Sequence, residues 1–111
     1  MTRITITKSS EDNYIRIECK GHAGFADSGE DIVCAAVSVL TINTINSIEV
    51  LTEDEIVTSQ DEKKGVITFE FKDKPSREAD LLLRSFELGV NSISDQYGKK
   101  FLNIKIRREK S

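Results

Sequence analysis

Apolar and polar residues alternate with period two in five stretches of this chain and recur at spacings of three and four in two others. Residues 3–8 place Ile4 and Ile6 on one side, and residues 14–20 do the same with Ile15, Ile17 and Cys19. The tract Ser9-Ser10-Glu11-Asp12-Asn13 between them is turn chemistry, so the pair reads as a hairpin. A second hairpin spans 55–60 and 66–72 around Asp61-Glu62-Lys63-Lys64-Gly65. In its later strand Ile67, Phe69 and Phe71 point inward, and Val66, Thr68, Glu70 and Lys72 point the other way. Residues 101–108 form a last strand, with Leu102, Ile104 and Ile106 inward.

The helical spacings fall between these strands. Asp31 is a good N-cap for a helix running from Ile32 to about Leu51, with Val33, Val37, Leu40, Thr44 and Ile48 in its apolar stripe. Ile32, Ala36 and Val39 widen that stripe. Ser76, after the single proline Pro75, caps a second helix whose apolar face is Leu82, Leu83, Phe86, Gly89, Val90, Ile93 and Tyr97, and Gly98 stops it. The order ββαββαβ predicts an α+β fold. One domain over residues 1–111 would hold a mixed, mostly antiparallel sheet of about five strands, with two helices packed on one face.

Charge and composition narrow the class. A net charge of -3 and a pI near 5.2 argue against direct nucleic-acid binding through a basic face, and the cations Lys105, Arg107, Arg108 and Lys110 read as a solvated strand. The N-terminus has no signal-peptide pattern, and no run of eighteen apolar residues suggests a membrane span, so the expected location is cytoplasmic. In that reducing compartment Cys19 and Cys34 are free thiols. Cys19 shares its alternation with Ile15 and Ile17 and is expected to be buried and inert. Thr41, Asn43, Thr44, Asn46 and Ser47 make the first helix polar yet nearly uncharged, which suits packing against another subunit.

Candidate chemistry concentrates in residues 21–40. Here lie the single histidine His22, Cys34, the glycines Gly21, Gly24 and Gly29, and the acids Asp27, Glu30 and Asp31. A free thiol with pKa about 8.5 is only roughly 3% ionised at pH 7. Bringing it down by about 2.5 units takes roughly 3.4 kcal/mol, whereas a helix N-terminus supplies about 0.3–1 and at best about 2. A cationic partner must contribute the rest, and His22 is the only histidine that can. Asp31 either caps the helix or accepts a hydrogen bond from His22 and fixes its tautomer. Backbone N–H groups at Ile32, Val33 and Cys34, at the expected helix start, would receive an oxyanion. Ser38 lies one turn beyond Cys34 and either bonds within the site or simply packs. The glycines let the loop bend and open over a ligand or serve ordinary turns. No cofactor is implied: the loop lacks the lysine of a phosphate loop, and two thiols with one histidine at scattered positions do not make a zinc site.

The string Gly21-His22-Ala23, Gly29, Asp31-Ile32-Val33-Cys34-Ala35, Ser38 and Leu40 resembles the ribosomal-processing cysteine protease family. The likeness extends to length and element order, and its specific part is this twenty-residue block. The resemblance implies a homodimeric cysteine endopeptidase that removes the short N-terminal extension of the twenty-seventh large-subunit bacterial ribosomal protein. Cys34 would be the nucleophile, His22 the base, and Asp31 and Ser38 supporting residues. The loop carrying Ala23, Gly24 and Gly29 would be a cover that orders around the peptide. Two readings from other classes stand beside it: a noncatalytic ribosome-assembly factor binding the same extension, and a redox-sensing thiol protein.

Overall fold

The computed structural model describes residues 1–21 and 28–109, and side chains at 1–21 and 32–109. The elements follow the expected order: β1 Thr2–Ser9, β2 Tyr14–Lys20, α1 Ser28–Leu51, β3 Ile56–Asp61, β4 Val66–Phe71, α2 Arg77–Tyr97 and β5 Leu102–Glu109. They make an α+β fold with one five-stranded mixed sheet in the order β3-β4-β2-β1-β5. All neighbours are antiparallel except β1 and β5, which are parallel.

This topology places both helices on one face. α1 carries the chain from β2 to β3, and α2 carries it from β4 to β5; in each case the strands joined are parallel. The two crossovers start from antiparallel strands and run in opposite directions along the sheet. Right-handed connections therefore land α1 and α2 on the same side.

Register then decides which residues meet the helices. One row across the sheet reads Ile104, Ile4, Cys19, Ile67, Gln60, and the next reads Ile106, Ile6, Ile17, Phe69, Thr58. Ile4, Ile6, Ile17 and Phe69 are wholly buried, each contributing about 1.5–3 kcal/mol of burial. From the helices, Val33, Val37 and Ile48 of α1 and Ala79, Leu83, Phe86 and Val90 of α2 complete this core. The helices approach closely at Gly89, where a Cβ would lie 3.0 Å from a Leu40 methyl. Ser76 caps α2 as expected, accepting from the Ala79 N–H at 3.1 Å while its hydroxyl donates to Asp54, and Gly98 ends the helix at φ 103°.

Several inward assignments differ. Ile15 is only half-buried, while Tyr14 is buried. A register shift between Thr7 and Lys8 pairs Lys8 with Tyr14 and inserts an extra residue in β2, which reverses the alternation there. Tyr14 thereby donates a 2.8 Å hydrogen bond to Glu87 of α2. Ile106 is exposed because β5 is an edge strand beyond the helix cover. Ile32 and Val39 are 51% and 66% exposed, so they lie outside the stripe of α1 that meets the sheet. By length and composition the stretch Ile32–Leu51 is apolar enough to cross a membrane, but one side of it packs on this sheet.

Candidate active site

The far end of β2 and the first half of α1 meet at Gly21. A Cβ built on Gly21 would stand 2.8 Å from Cys34 Sγ, well inside van der Waals contact. Only a residue without a side chain lets the thiol rest against this strand end. Gly21 is itself held in place: its N–H donates 2.9 Å to the carbonyl of Gly65 in the β3–β4 turn, where Gly65 has φ 64°. The sheet thus fixes one wall of the site and α1 the other.

Between these walls lies a cleft of about 240 Å³. Cys34, Val37 and Ser38 face it from α1, Cys19, Gly21 and Ile67 from the sheet, and Gln60, Asp61 and Glu62 from the end of β3 and its turn. Thr2, at the start of β1, also reaches it. Cys34 is half-buried and free. A half-exposed thiol at the side of an open cleft has room for a carbonyl to approach, which is what a nucleophile needs.

The second thiol is built differently. Cys19 is 5% exposed, with Sγ 3.2 Å from the Thr41 hydroxyl, which itself donates to the Val37 carbonyl at 2.7 Å. Burial pushes the Cys19 thiol up to about 11, more than the Thr41 contact can offset, so it stays protonated and unreactive at neutral pH. The expectation of an inert Cys19 holds.

α1 begins earlier than its sequence indicates. Its first residue is Ser28, so Asp31 is the fourth residue and Cys34 the seventh. The role of Asp31 as N-cap is therefore corrected, because its backbone is already helical. Likewise, the N–H groups of Ile32, Val33 and Cys34 sit where an α-helix directs them to carbonyls four residues back, so they are not free oxyanion donors. The expected start missed a full turn because Gly29 and Glu30 continue the helix backward from a cap-like aspartate. His22, Ala23, Gly24 and Asp27, and the side chains of Glu30 and Asp31, lie outside the described residues. Ser38, one turn after Cys34, does line the cleft. Thr2 and Gln60 were not singled out from sequence, since their place in this cleft depends on strand order and register. Among the described residues, no group of His, Cys, Asp and Glu is arranged to hold a metal ion.

Comparison with known proteins agrees with this geometry. Residues 1–102 match the family model described as cysteine protease Prp. The ribosomal processing cysteine protease Prp of Bacillus subtilis is 30% identical over 101 residues, covering 87% of this chain and 90% of that protein. The crystal structure of SMU.848 from Streptococcus mutans superposes with a TM-score of 0.87 at 29% identity, covering 98% of this chain and 99% of the other. The essential ribosomal processing protease Prp from S. aureus, crystallised in complex with a substrate peptide, superposes with a TM-score of 0.86 at 26% identity, covering 98% of this chain and all of that one. With a match running from the first strand into the last, and a free thiol set in a cleft on the shared fold, this chain belongs to the cysteine protease Prp family.

Proposed function

We propose that this protein is a cytoplasmic cysteine endopeptidase in which Cys34 is the nucleophile and His22 the base. We further propose that its substrate is the N-terminal extension of the twenty-seventh large-subunit ribosomal protein. One observation carries the reading: Cys34 Sγ rests against Gly21, the residue bonded directly to His22, at the side of an open cleft. The S. aureus relative with its bound substrate peptide supports a peptide in that cleft.

In this mechanism His22 accepts the Cys34 proton, and the thiolate adds to the scissile carbonyl to give a tetrahedral oxyanion. Collapse breaks the C–N bond, and the imidazolium returns its proton to the departing amine. Water, losing a proton to His22, then adds to the thioester; the C–S bond breaks, the new carboxyl leaves, and Cys34 is reprotonated. Asp31 is assigned to hold the His22 tautomer. In the sequence it stands three residues before Cys34. Ser38 completes the wall beside the thiol.

The outer side of α1 supports a homodimer. Ile32, Ala35, Val39, Ile42 and Val50 are exposed there and lie within about 80° of one another on the helix. The only charged side chain described on α1 is Glu49.

Intact mass spectrometry of the precursor ribosomal protein tests the function. Wild type and Cys19→Ala should remove one defined N-terminal peptide, and Cys34→Ala should leave the precursor whole. Equal loss in both cysteine variants would refute the assignment. An uncut precursor that co-purifies with wild type would point to an assembly factor.

A further inference from the structure

Gln60 occupies an unusual place for an exposed residue on an edge strand. Its register with Ile67 and Cys19 turns it to the helix-bearing face of the sheet, and it lines the cleft that holds Cys34. No hydrogen bond joins its side chain to any described residue. Its neighbour Asp61 is already engaged, with Oδ1 accepting from the Lys64 N–H at 3.1 Å within the turn.

A peptide in this cleft brings main-chain N–H and C=O groups that lose water and need partners. The α1 wall offers few: from Ile32 through Cys34 its backbone N–H groups lie inside the helix, leaving side chains such as Ser38. On the opposite wall the carboxamide of Gln60 carries a separate N–H donor and C=O acceptor side by side, matching both halves of a peptide unit. We propose that Gln60 is a substrate-binding residue whose side chain hydrogen-bonds the main chain of the bound peptide, away from the reacting carbonyl. Gln60 stands two strands and one row from Gly21, about 10 Å across and about 7 Å along the sheet. Allowing for the length of its side chain, its contact falls about two to three residues from the bond being cut. This inference rests on the protease reading.

The test pairs Gln60→Leu with ester substitution along the peptide. A fluorescent peptide spanning the cleavage region of the ribosomal-protein extension is titrated into Cys34→Ala protein, with and without Gln60→Leu. Loss of two neutral hydrogen bonds should weaken binding about 10-fold. In the active enzyme KM should rise by a similar factor with little change in kcat. Replacing single amides by esters two or three residues from the scissile bond should weaken binding to Cys34→Ala and have little effect once Gln60 is leucine. Equal ester penalties in both backgrounds, unchanged binding, or a collapse of kcat at constant KM would overturn the assignment of Gln60. Failure of wild type to cleave the peptide would instead overturn the protease reading, and this inference with it.

Discussion

At the scale of single residues, the distance that matters most is the 2.8 Å between Cys34 Sγ and the place a Gly21 side chain would begin. No rotation of a methyl group relieves such a contact, so either the strand end or the thiol must move. The strand end is tied to Gly65 and the core, which leaves the thiol as the softer partner. Gly21→Ala should therefore fold with nearly unchanged stability and lose 10-fold or more in kcat/KM, since about 1 Å of misplacement at a reacting atom can cost about 100-fold. The rate of Cys34 alkylation by iodoacetamide would fall in the same variant. Full activity with an unchanged alkylation rate would show that the thiol does not depend on this close approach. Gly21 was visible in the sequence as a strand terminator, but its role as a seat for Cys34 follows only from how α1 lies on β2.

At the scale of elements, the seam between α1 and β2 is polar at one point. The Cys19 thiol and the Thr41 hydroxyl meet there in an otherwise apolar layer, and Thr41 remains satisfied through Val37 whether or not the thiol is present. Because the folded pKa of Cys19 is raised from 9.0 to about 11, its protonated form is favoured by folding. That stabilisation is complete below pH 9 and is lost as pH climbs toward 11, up to about 2–3 kcal/mol. Urea denaturation of wild type and Cys19→Ala across pH 8 to 11 should show a difference that shrinks or reverses over this window. Parallel curves would mean the thiol is not desolvated. The elements themselves were legible, because period-two and three-four spacing reflect burial directly, and Ser76 and Gly98 mark the ends of α2 by ordinary cap chemistry. What failed needed knowledge of partners. The bulge opposite Lys8 exchanges Tyr14 for Ile15, the open edge exposes Ile106, and the helical backbone at Asp31 moves the start of α1 back to Ser28. Cys34 and Ser38 were found through their surroundings in the chain. Gln60 and Thr2 reach the same cleft from strands far away in sequence, where local pattern carries no signal.

At the scale of the whole molecule, α1 is apolar on two sides. Val33, Val37 and Ile48 are buried against the sheet, whereas Ile32, Val39, Ile42 and Val50 are 51%, 66%, 45% and 78% exposed on the side away from it. The misassignment of Ile32 and Val39 to the core stripe has its physical origin here: two apolar surfaces share one helix, and spacing alone merges them. Covering these four half-exposed side chains on each of two copies is worth about 1 kcal/mol apiece, roughly 8 kcal/mol together, comparable with the estimated 4–15 kcal/mol cost of association. The proposed twofold pairing along α1 would thus be finely balanced and sensitive to one charge at its centre. Val39→Glu places a carboxylate from each copy into that seam, where desolvation and mutual repulsion both oppose contact. The side chain is largely exposed in the single chain, so folding should be preserved, and light scattering coupled to gel filtration should report a dimer for wild type and a monomer for Val39→Glu. Cys34 lies on the same helix, on the flank between the two apolar sides. A monomeric Val39→Glu should therefore also tell whether pairing steadies the Cys34 thiol, through a drop in kcat/KM with unchanged thermal unfolding. A dimer of undiminished mass would place the subunit contact elsewhere on the molecule.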